Sequence, residues 1–204
     1  LPAWMIRDTR LALSGQLRRE LGGPPVYPYQ PPGVWKDQFM GRLSYQPTMG
    51  SGQYRRTLYA FWRRTSAPTF LFDSAMRRSC EVTVQRTNTP LHALTLLNDL
   101  TGQEVARTLA DRFALDPQLP SVDDQLHALW RHALGREASS QEAKLLSTQY
   151  NQACAFYAQH AADAGELLSI GQLAPPSDER LAERAALMVV ATLVLNLDEA
   201  ITHE

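Results

Sequence analysis

The chain has little cysteine, no long apolar run and almost no net charge, and each shortage excludes something. Two cysteines in 204 residues, Cys80 and Cys154, make no disulfide framework, although the sequence leaves one bridge between them open. Neither sits in a C-x-x-C-H motif, so the chain attaches no c-type haem, and no cofactor is expected within it. The longest strongly apolar run, Ala185 to Leu197, is interrupted by Thr192 and Asn196. It falls well short of the ~20 residues that cross a bilayer and reads as a buried core helix, so no membrane span is expected. P-loop, G-x-S-x-G, dinucleotide and H-E-x-x-H motifs are all missing. The histidines at 92, 127, 132, 160 and 203 form no Cys/His cluster, and His127 and His132 are five apart, off a common helix face. No metal site is therefore expected. A net charge of -1 argues against a nucleic-acid partner. The opening Leu1-Pro2-Ala3-Trp4 is no basic leader before an apolar core, and without an initial Met the chain reads as a piece of a longer protein.

The charge that is present is unevenly spread. Residues 1–90 hold 13 Lys and Arg against 5 Asp and Glu, whereas residues 91–204 hold 7 against 16. Such a split points either to a polyanion-binding face or to two halves that complement one another.

Periodicity gives a mainly α fold: one helical domain with an irregular Arg/aromatic-rich segment and a proline-rich N-terminal arm. Met5, Ile6, Leu11, Leu13, Leu17 and Leu21 predict a helix over residues 3–21, stopped by Gly22-Gly23. Residues 22–53 form the arm, with five prolines in 24–32, extended and docked so that Val26, Tyr27, Tyr29 and Trp35 are covered. A short helix around 34–40 and a flexible MGSGQ loop at 49–53 follow. Residues 54–64 fit neither the helical nor the strand period, and 80–86 alternate like a short strand.

From 88 onward the pattern is helical, with residues 100–204 as the helical core. Thr89 and Pro90 open a helix with Leu91, Leu94 and Leu97 inward. A helix through about Phe113 comes next, then one capped by Ser121 and ended by Gly135. Ser139 and Glu142 form a capping box ahead of a helix expected to turn Leu145, Leu146, Tyr150, Ala153, Phe156 and Tyr157 inward. Ser177 caps the last helix, with Asp178 and Glu179 at its positive end.

The densest chemistry lies in residues 54–99. Arg55, Arg56, Arg63, Arg64, Arg77, Arg78 and Arg86 are interleaved with Tyr54, Tyr59, Phe61, Trp62, Phe70 and Phe72. Guanidinium groups take carboxylate, sulfate or phosphate through paired hydrogen bonds and stack on aromatic faces. They are candidates for an anion or acidic-polysaccharide site, or else for ion pairs with the acidic helices. Asn88 stands beside Arg86 at a helix start, which is an anion seat or simply a cap. Asp73 and Asp99 are candidate carboxylate partners of the arginines. Cys80 beside Arg77 and Arg78 is either a lowered-pKa thiol or a buried structural one.

YRRTLYAFWRRT, FLFD and CEVTVQRTNTPLHALTLLND together resemble the domain of unknown function numbered fifteen fifty-three, found at the C-terminal end of large planctomycete proteins. IRDTRLALSGQL with LGGPPVYPYQPPGVW, and LVLNLDEAITHE at the far end, resemble its opening helix, arm and closing helix. The sequence departs from the family where an Asp-Ala-Pro-type run is usual, reading Asp73-Ser74-Ala75-Met76, and carries His92 where Gln is usual. The resemblance implies an exported, periplasmic setting, with other domains of the parent as partners and any haem carried by a cytochrome c domain elsewhere. The expected function is a non-catalytic anion-binding or domain-docking module. The alternative is an enzyme domain acting on acidic or sulfated polysaccharide.

Overall fold

A computed structural model describes residues 1–31, 33, 35, 44–63, 68, 70–73, 82, 89–176 and 180–202. Eight α-helices and no strand lie among them, so the fold is mainly α. The chain divides into two compact units, Leu1–Asp99 and Leu100–Glu204. The expected helix near 34–40, the strand at 80–86 and the Ser177 cap with Asp178 and Glu179 lie outside the described residues.

In the first unit, α1 runs Ala3–Ser14 and buries Ala3, Ile6, Arg7, Arg10, Leu11 and Ser14. These positions form a single stripe at helical spacing. The helix ends seven residues before the expected stop, because Gly15 takes the left-handed conformation at φ 77°. Leu21, expected on the inner face, lies beyond the helix and is exposed. Beyond Gly15 the chain is extended. The Arg18 N–H donates to the Tyr54 carbonyl, and Arg18 and Val26 make isolated parallel bridges to Arg55 and Ala60.

The arm is docked through Val26, Tyr29 and Trp35, all buried. Tyr27 stacks on Phe61 at 4.6 Å between ring centroids, and Trp35 stacks on Tyr45 at 5.2 Å. Five prolines lack N–H groups, so no continuous ladder can form, and the carbonyls draw donors from side chains instead. Tyr45 donates to Pro28 O at 2.5 Å. The fully buried Gln53 amide donates to Tyr27 O and accepts from Tyr29 N–H, both at 3.1 Å. Gln53 belongs to a 3₁₀ turn over Gly50–Tyr54, so the loop expected to be flexible is an ordered turn. A second 3₁₀ turn, Thr57–Tyr59, resolves the ambiguous stretch that fitted neither period.

Helix α2, Pro90–Asn98, starts where expected, but the Thr89 side chain makes no cap bond. Its leucines also correct the sequence reading: Leu91 is 71% and Leu94 58% exposed. Periodicity identifies an apolar face; it does not supply the surface that would cover it.

The second unit packs α3 (Leu100–Ala114), α4 (Val122–Leu134), α5 (Ser140–Gln159) and α6 (Ala161–Leu168) around α7 (Leu181–Val194), with a short α8 at Asp198–Ile201. Ala185, Ala186, Leu187, Met188, Val190 and Ala191 of α7 are fully buried, which makes it the central helix. Three of its four alanines, Ala185, Ala186 and Ala191, are among these buried positions. Ser121 Oγ accepts from Asp124 N–H, and Gly135 ends α4 in the left-handed region. The capping box is formed by Ser139 and Glu142. On α5, Leu146 and Tyr150 are buried, whereas Leu145 and Phe156 are exposed, contrary to the sequence reading. At ~100° per residue, those two lie about 80–100° off the stripe of Leu146, Tyr150, Ala153 and Tyr157.

Arginines tie parts of the second unit together. Arg107 Nη2 donates to Ala174 O at 2.6 Å, and Arg184 Nε donates to Asp111 at 2.8 Å. Buried Glu104 accepts from the Gln172 N–H at 2.7 Å, beside Gly171 at φ 74°. On the surface, Arg136 grips Glu142 and Glu199, both at 2.7 Å, tying the start of α5 to α8.

Two outcomes are expected. Arg136, and after it the Ser139 backbone N–H, hold the Glu142 carboxyl down at about 2, from 4.5. A depressed carboxylate stabilises the folded state above its unfolded pKa, and that contribution is lost as pH falls through the folded one. Melting curves of Glu142→Gln should therefore lose less between about pH 5 and about pH 2 than those of the parent. Arg55→Leu should cost about 3 kcal/mol in urea denaturation, because the Arg55 guanidinium satisfies the carbonyls of Glu20, Gly22 and Pro24.

Candidate functional site

The arginines singled out by sequence have different fates. Arg55 is buried, and both of its terminal nitrogens donate to the protein's own backbone. Nη1 reaches Pro24 O at 3.0 Å, and Nη2 reaches Glu20 O at 3.2 Å and also Gly22 O. The guanidinium lies over the Tyr59 ring at 4.0 Å, while the Tyr59 hydroxyl accepts from Gly22 N–H. Arg55 therefore closes the glycine-proline turn that leads into the arm. Arg56 points the other way and is 44% exposed, with Nε 3.8 Å from Asp8 Oδ2. Arg63 is exposed. Arg64, Arg77, Arg78, Arg86, Asn88 and Cys80 lie outside the described residues. Cys154 is a free thiol, half-buried, and burial pushes its pKa up.

The two candidate carboxylates are engaged locally. Asp73, in the left-handed region at φ 55°, lies 3.9 Å from His92 Nε2, and His92 stacks on Phe72 at 4.2 Å. Asp99 terminates α2, its N–H donating to Thr95 O. Asp99 also faces Arg10, a buried guanidinium that donates to Leu96 O at 3.0 Å. Burial lowers the Arg10 pKa to about 10, and the Asp99 charge opposes that shift.

Sequence reasoning missed α1 as a source of site residues. Arg7 is buried and donates to Gln53 O at 2.7 Å, to Arg55 O at 3.0 Å and to Thr57 Oγ1 at 3.2 Å. That bundle of bonds pins the 53–57 turns against the inner face of α1. The outer face of α1, carrying Trp4, Met5, Asp8, Thr9 and Ala12, then lines an open groove of about 480 Å³. The far wall is Leu17, Arg19, Leu21 and Arg56. Separating the α1 residues into two helical faces, with Arg7 and Arg10 on the buried one, would have revealed this outer row.

The groove's electrostatics are one-sided. The single lining carboxylate among the described residues, Asp8, has Oδ1 occupied by the Thr57 N–H at 2.8 Å and the Thr57 hydroxyl at 2.6 Å. Among the described residues, Arg19 has no hydrogen-bond or ion-pair partner, and Arg56 has only the long approach to Asp8. Two guanidinium forks thus face the groove with hydrogen-bonding capacity in hand. Trp4 is 46% exposed and Leu21 82%, so the apolar part is open as well. No group of three His, Cys, Asp or Glu side chains placed to hold a metal ion occurs among the described residues. None of their helices is long and apolar enough to cross a membrane.

Asp99→Asn should destabilise the chain by about 1–2 kcal/mol, because it removes the carboxylate charge that opposes the desolvation of the buried Arg10. Arg10→Met in the same background should recover most of that loss, as a double-mutant cycle in urea would show.

No curated protein and no solved structure matches the chain. The model of the family described as PSD1, protein of unknown function (DUF1553), matches residues 1–150, which covers the first unit, the groove and the second unit as far as Tyr150 within α5. The closing helices lie beyond the match. With well over half of its length matched, the chain belongs to the PSD1 family of proteins of unknown function (DUF1553).

Proposed function

We propose that the first unit is a non-catalytic recognition module that binds anionic groups of a partner, within an exported multidomain protein of the planctomycete type. Other domains of the parent, a cytochrome c domain included, are the natural partners under this reading. The observation that carries it is the pair Arg19 and Arg56 at a groove where the one carboxylate among the described residues, Asp8, is already held by Thr57. An excess of basic over acidic residues in the first 90 positions supports the same sign of partner. Arg55, turned inward, is part of the scaffold rather than of the recognition surface.

A second reading, an enzyme domain acting on acidic or sulfated polysaccharide, draws support from the Asp73–His92 approach at 3.9 Å. It needs an open cleft in which such a pair meets an arginine and a sugar.

The test is thermal unfolding with short poly-glutamate, a sulfated oligosaccharide and a neutral oligosaccharide. A ligand that binds only the folded state raises the melting temperature. At low salt the anionic probes should add about 2–4 °C and the neutral sugar nothing. The rise should vanish in about 0.5 M salt and in the double variant Arg19→Ala with Arg56→Ala. Absence of any anion-dependent rise would sink the proposal, and release of reducing ends from the sulfated sugar would favour the enzyme instead.

A further inference from the structure

The groove holds more than charge, and its apolar half identifies the ligand class. We infer that it takes an acidic peptide segment of a partner, one that sets a bulky apolar side chain between its carboxylates. This rests on the recognition reading above and narrows it.

Pyranose sites are built on aromatic faces flanked by side chains that hydrogen-bond hydroxyl groups. Among the described residues of the lining, Trp4 is the single aromatic, and the surfaces beside it are aliphatic: Met5, Ala12, Leu17 and Leu21. Aliphatic walls gain by covering another aliphatic or aromatic side chain and offer a sugar hydroxyl nothing. Among the described residues of the lining, Thr9 and the Trp4 indole N–H are the only uncharged polar groups on side chains. The hydrogen-bonding power of the wall is therefore concentrated in two guanidinium groups, which match carboxylates in charge and in fork geometry. Asp8, tied to Thr57 and 3.8 Å from Arg56, repels a second carboxylate near the Arg56 end. That leaves Arg19 as the stronger anchor and sets the polarity of the bound segment.

The geometry also accounts for the exposure of Leu21 and Trp4. An 82% exposed leucine and a half-exposed tryptophan lining the same groove are apolar surface awaiting a cover. A groove of about 480 Å³ suits one large side chain with its flanking backbone, not a folded domain.

The experiment uses the full chain and a fluorescein-labelled decapeptide alternating Glu and Leu, read by anisotropy at low salt. Its controls are the same peptide with Ser for Leu, and an unlabelled galacturonate oligomer as competitor. The inference expects the Glu/Leu peptide to bind at least tenfold more tightly than the Glu/Ser peptide. It expects Arg19→Glu and Trp4→Ala each to weaken that binding at least tenfold. Arg19 is exposed and outside any helix, so its charge reversal leaves the fold intact, which far-UV circular dichroism checks. Equal binding of both peptides, or displacement of either by galacturonate at equal charge concentration, would overturn the peptide inference while leaving anion recognition standing. Failure of every anionic probe would overturn both.

Discussion

Arginine side chains do, for the first unit, what a β-ladder does elsewhere. A chain with five prolines between 24 and 32 has too few N–H groups to pair with its own carbonyls, and buried carbonyls without donors are costly. Arg7 and Arg55 supply several donors apiece. Arg7 gathers the carbonyls of Gln53 and Arg55, while Arg55 gathers those of Glu20, Gly22 and Pro24. Each guanidinium is buried, and each is oriented by something besides charge: Arg7 by its place on the α1 stripe, Arg55 by the Tyr59 ring. Because these bonds run to backbone rather than to carboxylates, they fix the path of the irregular segments with little contribution from ion pairing.

The groove follows from the same arrangement. Pulling the 53–57 turns onto the inner face of α1 places the next residue, Arg56, on the opposite side, above Asp8. Thr57 then secures Asp8 with both its N–H and its hydroxyl. The carboxylate nearest Arg56 is held at 3.8 Å, an ion pair outside hydrogen-bonding range that leaves the guanidinium N–H groups to be used. Adjacent arginines in one Arg-Arg pair thus divide the work, one holding the chain and the other facing solvent.

This division explains what was legible in the sequence. Ser121, Gly135 and the Ser139–Glu142 box were readable because caps are local: the residue, its partner and the reason lie within four positions. The central helix was readable because an almost wholly apolar stretch has few alternatives. Arg55 and Arg56 were not separable, since which of them is buried depends on Glu20 to Pro24, more than thirty residues away. The end of α1 was missed because an isolated glycine inside a leucine pattern is tolerated as often as it terminates, and only its positive φ decides. The leucines of α2 show the remaining gap: a period names a face, but burial depends on what another part of the chain brings to it.

One small feature of the second unit constrains which sequences can share this architecture. A β-carbon at Gly171 would fall 1.9 Å from Glu104 Oε1, and the position already lies at φ 74°. Glu104 occupies the space a side chain at 171 would need, and it accepts the neighbouring N–H of Gln172. The two positions are therefore a lock and its key seat: a related sequence with any side chain at 171 must carry a shorter residue at 104 and must route the loop differently. In a chain whose irregular segments are held by long polar side chains, glycine marks the places where those side chains need room.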